Sequence, residues 1–237
     1  MHNGTLGGSN GIYHLMTHGN LKHDTDTNMR STMDVRGRIL MEALHLFGSI
    51  GYESTSLQKI ADAVGVTKQA LLYHFPSKEA LHRAVIESVF DYWRRELPVV
   101  LTNTPPGHAR FHSTMGALLD FFGSDPSCAR AALREMLDRP DSLSEGLRRH
   151  LSTLVRMITG YIRMGQASGR IQPELDPESY VVQVLTMVIS SAAIGSVVNA
   201  IVEASDPAKQ KERDRAELVR IARRAAFVPK VLEHEKE

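Results

Sequence analysis

At 237 residues and 42% hydrophobic content, the chain is long enough to bury one or two sizeable cores. Its single cysteine, Cys128, excludes an internal disulfide and suits a reducing cytoplasm. The formal net charge of +1 excludes a global basic field, so any affinity for nucleic acid must come from where individual charges sit.

Residues 1–32 are rich in Gly, Asn, Thr and His, show no helical or strand period, and read as a disordered tail. No apolar run follows a basic start, so no signal peptide is expected, and Met29 or Met33 could be the translation start. His14, His18 and His23 lack the Cys or carboxylate partners of a metal site and are read as solvated. From Asp34 to Ile50 an amphipathic helix is predicted. Ile39, Leu40, Ala43, Leu44, Phe47 and Ile50 form its apolar stripe, and Gly51 ends it.

The stretch Thr55–Glu79 (TSLQKIADAVGVTKQALLYHFPSKE) reads as two short helices joined by a tight turn. Thr55 is expected to cap the first, with Gln58 completing a capping box, and Leu57, Ile60, Ala61 and Val64 fall on one face. Gly65 can take the left-handed conformation that ends a helix, and Val66 plugs the angle between the two. Thr67 caps a second helix from Lys68 to Phe75, which Pro76 closes because a residue before proline is pushed out of helical geometry. Such a pair is a helix-turn-helix, whose second helix enters the DNA major groove. Lys68 suits guanine and Gln69 adenine at base edges. Thr55 and Thr67 can each add helix N-terminal amides facing an anion. From Asp34 to Glu79 charge is balanced, with Arg36, Arg38, Lys59, Lys68 and Lys78 against Asp34, Glu42, Glu53, Asp62 and Glu79.

Tyr52, Thr55, Ile60-Ala61, Gly65-Val66-Thr67, Leu71, Tyr73-His74-Phe75, Ser77-Lys78-Glu79 and Leu81 together resemble the DNA-binding domain of the tetracycline-repressor (TetR) family. The resemblance covers about fifty residues. It implies that Tyr73, His74 and Lys78 touch phosphates and that the helix before the hairpin completes a three-helix unit. It also implies a fourth helix leading into a larger helical domain. The last two long helices would pair with those of a second subunit.

The remaining chain continues as helices. A capping box at Ser77, with Ala80 in place of the usual Glu or Gln, opens a helix on which Leu81, Val85, Val89, Trp93 and Leu97 recur, stopped at Pro98 or at the Thr104–Gly107 loop. Further helices are predicted from His108 to Phe122, ended by Gly123, and from Pro126 to about Arg139. Others run from Leu143 to Ser168, from Pro177 to about Ala204, and from Pro207 to about Val228. The stretch Ser179–Val202 carries no charge and is long enough to span a bilayer, but its Gln, Thr, Ser and Asn residues favour a helix buried against a partner. Ser191, Ala192, Gly195, Ser196 and Asn199 set small or polar residues where subunits could approach closely.

The expected class is all-α. Residues 33–79 would form the helix-turn-helix domain, 80–229 a helical effector-binding and dimerisation domain, and 230–237 a C-terminal tail. Trp93, Phe111, Met115, Phe122, Met136, Met157, Tyr161 and Met187 are candidates to line an effector cavity, since aromatic and methionine side chains suit an adaptable apolar pocket. His108 and His112, four apart, are read as surface or pocket polarity rather than metal ligands. Neither cofactor nor metal is expected, and no nucleophile elbow, His-Glu-x-x-His or phosphate loop supports an enzyme. The reading is a cytoplasmic homodimeric regulator on a palindromic double-stranded operator, a repressor released by a small-molecule effector. A constitutive DNA-binding regulator and an α-helical enzyme are the alternatives.

Overall fold

The computed structural model describes residues 34–203 and 205–229, so the expectations for both tails lie outside the described residues. Eleven helices and no strand occur among them; one isolated antiparallel bridge joins Ile171 to Phe227. The described chain divides into two compact units. One runs to Trp93 and takes in Asp120–Gly146; the other is formed by Arg94–Leu119 and the residues from Leu147 onward.

In the first unit, α1 (Val35–Ile50) starts where the Asp34 carboxylate accepts the Gly37 N–H at 2.7 Å. Ile39, Leu40, Ala43, Leu44 and Phe47 are buried as expected, but Ile50 at the last turn is 40% exposed and lies outside the stripe. Helix α2 (Leu57–Val64) is capped by Ser56, not Thr55. The Thr55 side chain is turned inward, 1% exposed, and its hydroxyl donates to the Gly51 carbonyl at 2.7 Å, which leaves Ser56 to accept the Lys59 N–H. Gln58 accordingly donates along the helix to Asp62 and closes no capping box. Gly65 has φ +77, the left-handed turn its sequence position predicted. Helix α3 (Lys68–His74) is capped by Thr67, buries Leu71, and ends at the buried Phe75. Helix α4 (Lys78–Asn103) runs through Pro98 and stops before the Thr104–Gly107 loop.

Helix α5 (His108–Ser124) continues past Gly123, and Asp125 caps α6 (Pro126–Asp138). Helix α6 lies so close to α1 that a Cβ on Gly48 would stand 2.2 Å from the Ser127 carbonyl oxygen. Cys128 is buried on α6, and desolvation pushes its thiol well up, so the reactive thiolate of a redox sensor is disfavoured.

The single helix expected over Leu143–Ser168 is two, α7 (Pro140–His150) and α8 (Ser152–Ala167), parted at Leu151. Arg148, Arg149 and His150 crowd the last turn of α7, where a cation complements the helix dipole and favours an end. The helix expected from Pro177 to about Ala204 is also two, α9 (Pro177–Ala193) and α10 (Gly195–Ile201), bent by 74°. The Gly195-Ser196 pair sits at the bend, as such pairs commonly do. No single helix among the described residues is long and apolar enough to cross a membrane. Helix α11 (Pro207–Ala226) is capped by Asp206. In this second unit the Tyr180 hydroxyl on α9 donates to the Ala222 carbonyl on α11 at 2.8 Å, and the Arg110 guanidinium lies 4.2 Å from the Tyr161 ring centre.

Candidate nucleic-acid interface

Three helices of the first unit meet around Ile39, Leu40, Leu44, Ile60, Ala61, Leu71 and Phe75. Helix α3 has only Leu71 fully buried, so most of its residues are free of the core. Thr67, Lys68 and Gln69 are all exposed at its start. Tyr73 is 87% exposed, so it is not hairpin core, and its ring meets the half-buried His74 ring edge-on at 5.5 Å. Phe75 belongs to the core, as its burial requires.

Lys78 stands at the start of α4, half-buried. Its ammonium lies 4.1 Å from the Tyr52 ring centre and donates to the Glu53 carbonyl at 3.3 Å. The surroundings of Lys78 come from residues distant in sequence. The Tyr52 hydroxyl donates to Glu79 at 2.8 Å, and Arg139, the C-cap of α6, donates to the same carboxylate at 3.3 Å. Arg139 also lies over the Tyr52 ring at 4.0 Å. Beneath them His82 and Glu135 form a buried pair at 3.0 Å. Arg36 likewise has its partner far along the chain; its guanidinium sits 5.1 Å from the Phe75 ring centre beside α3. Pairings across this much sequence leave no local signal.

The Tyr52 hydrogen bond pulls the Glu79 carboxyl below its ordinary range, Arg139 adds to this, and burial opposes it. Burial, then Glu79, pushes the Tyr52 phenol up. For Arg139, burial is the largest single influence and acts downward, but the charge and hydrogen bond of Glu79, with Tyr52 and Glu135, together raise the guanidinium. A carboxylate whose folded pKa is depressed stabilises the fold above its ordinary pKa of 4.5 and ceases to do so as the pH falls through the folded value. Thermal melts of wild type and Glu79→Gln should therefore differ at pH 7 and converge well below pH 4.5. The neutral-pH difference should be within about 1 kcal/mol, because the group is half exposed. A gap that persists at low pH would assign the effect to shape instead of charge.

The cavity candidates divide between the units. Trp93, Phe122 and Met136 fall in the first, where Trp93 packs on Phe121 and Phe122; Phe111, Met115, Met157, Tyr161 and Met187 fall in the second. Trp93, Met115 and Phe122 are buried and the other five half-buried. His108 stacks on Phe227 at 4.0 Å and His112 packs on Phe111, and no group of three or more His, Cys, Asp or Glu fit to hold a metal occurs among the described residues. Of the interface candidates, Ser191, Ala192, Gly195 and Asn199 are half-buried and Ser196 exposed. Around them Val197 is 53% and Ile201 75% exposed.

A short polar helix carried on a three-helix core, with a glycine turn before it, defines a helix-turn-helix DNA-binding protein. Two family descriptions match this chain: "Bacterial regulatory proteins, tetR family" over residues 39–85, and "Tetracyclin repressor-like, C-terminal domain" over residues 114–224. The HTH-type transcriptional regulator RutR of Escherichia coli is 32% identical over 167 residues, 69% of this chain and 76% of that protein. The biofilm-operon negative regulator IcaR of Staphylococcus epidermidis is 34% identical over 59 residues, 25% of this chain and 32% of its own. Among solved structures, a transcriptional regulator from Streptomyces coelicolor shares the fold at a TM-score of 0.61 and 23% identity, covering 81% of this chain and 98% of that one. A regulator from Saccharomonospora viridis in complex with choline does so at 0.60 and 15%, covering 81% and 97%. This chain belongs to the TetR family of bacterial regulatory proteins. It is a DNA-binding transcriptional regulator, a class distinct from enzymes.

Proposed function

We propose that the protein is a homodimeric repressor of the cytoplasm that holds a palindromic operator through two copies of α3 and leaves it when a small molecule binds. The observation that carries the DNA half is the bare face of α3, on which Lys68, Gln69 and Tyr73 all point away from the core. Lys68 and Gln69 read base edges; Tyr73, His74 and Lys78 grip phosphates, with Thr67 at the helix start. Thr55, buried, is withdrawn from this set. Two subunits joined through α9–α10 and α11 present two reading helices, which DNA requires about 34–36 Å apart. The exposed apolar residues of α10 support that assignment.

The effector half is supported by half-buried aromatic and methionine side chains in the second unit and by the choline complex of a structural neighbour. An effector acts by favouring one spacing of the two reading helices over another. Replacing Gln69 with alanine tests the DNA half. Discrimination between the cognate duplex and a single-base variant should fall by about 1–3 kcal/mol at one position per half-site, with binding to random duplex nearly unchanged. Equal weakening on cognate and random duplexes would remove Gln69 from base reading. Native mass spectrometry of the purified protein tests the effector half, since a co-purifying small molecule that lowers duplex affinity on re-addition is the expected result.

A further inference from the structure

We infer that Arg139, the C-cap of α6 and far in sequence from the helix-turn-helix, is a positioning residue for DNA binding: it fixes the Tyr52 ring against which Lys78 is held. This rests on the reading of Lys78 as a phosphate contact. A lysine side chain is a flexible four-carbon stem whose ordering carries an entropic cost, so a lysine already held where the phosphate will lie binds better than a free one. Lys78 is held in two ways, by the Glu53 carbonyl at 3.3 Å and by the face of Tyr52 at 4.1 Å.

The second hold is only as good as the ring is fixed, and Arg139 fixes it at both ends. Its guanidinium lies 4.0 Å from the ring centre. Its Nη1 donates to both Glu79 oxygens, at 3.3 and 3.4 Å, and that carboxylate accepts the Tyr52 hydroxyl at 2.8 Å. The Glu79 carboxylate also offsets the Arg139 charge beside the ring that Lys78 approaches. An arginine suits this role better than a lysine because one planar fork can stack on the ring and donate to the carboxylate at once. Arg139 reaches Glu53 too, at 3.9 Å, the residue whose carbonyl takes the Lys78 ammonium. Among the described residues, Tyr52 and Glu53, the two that hold the Lys78 ammonium, thus both also meet Arg139.

The test is a double-mutant cycle on the full-length dimer, with the duplex most enriched by the wild-type protein from a random library as probe. Arg139→Ala should weaken binding about tenfold while the dependence on salt stays that of wild type, because Arg139 itself neutralises no phosphate. Lys78→Ala should weaken binding and lower the salt slope. In the Lys78→Ala background, Arg139→Ala should change affinity less than about twofold, since there is then no ammonium to position. Arg139→Lys should behave like the alanine variant, having lost the fork. Multiplying effects of the two single substitutions would overturn the inference, as would a reduced salt slope in Arg139→Ala alone. Were Arg139→Ala too unstable to assay, Tyr52→Leu in the same cycle carries the same expectation and the same refutation. A selection that enriches no duplex refutes the DNA reading itself, and the inference with it; an enriched duplex with multiplying effects refutes the inference alone.

Discussion

Replacing Gly48 with alanine is expected to cost the protein roughly 2 kcal/mol and about 4–8 °C in melting temperature. The new Cβ would lie 2.2 Å from the Ser127 carbonyl oxygen and 2.9 Å from its carbon. These are backbone atoms of α6, which cannot swing aside as the tip of a flexible side chain could. Overpacking of this kind costs up to about 3 kcal/mol, whereas exchanging glycine for alanine in a helix interior contributes only about 1 kcal/mol the other way. The clash therefore wins. Because α1 packs on the helix-turn-helix and Arg139 caps α6, the variant should also bind DNA less well at temperatures below its melt. Calorimetry together with duplex titration reads both; a melt at or above wild type would mean that α1 and α6 do not pack this closely.

Replacing Gly195 with leucine is expected to weaken the dimer by roughly 5- to 150-fold, corresponding to about 1–3 kcal/mol of overpacking, and operator affinity with it. Within its own subunit the site is open: a Cβ there would meet nothing within 4 Å. The monomer should consequently fold and melt normally, which makes the substitution specific for contacts between subunits. Ile194, Val197, Ile201 and Val202 around it are all substantially exposed, an apolar patch of the kind that marks an association surface. Light scattering across the micromolar range is the measurement. A full-strength dimer at low micromolar concentration would place the interface elsewhere.

What the sequence made legible was local. The caps at Thr67, Asp125, Asp176 and Asp206 depend on a side chain reaching an amide two or three residues away, and each was readable from its position before a helical run, whereas Asp34 was read as part of the helix it caps. The glycine turn at Gly65 and the polar start of α3 were legible for the same reason. Thr55 failed as a cap because two adjacent hydroxyl residues, Thr55 and Ser56, both fitted the pattern. Burial of the Thr55 hydroxyl against Gly51 decided between them, and burial is a tertiary fact. The breaks at Leu151 and Ile194 carry no proline, and an apolar period continues across each, so periodicity alone joins the helices on either side. Arg139 was invisible because its partner Glu79 lies 60 residues away.

Two subunits reading one duplex through α3 is the proposed mode of binding, and selection from a random double-stranded library by the purified protein tests it most directly. The predicted result is an enriched inverted repeat whose half-sites lie about 10–10.5 base pairs apart centre to centre, or a multiple of that, with preference flattened at one position of each half-site for Gln69→Ala. Enrichment of no sequence, or of a sequence without two-fold symmetry that Gln69→Ala selects unchanged, would contradict it.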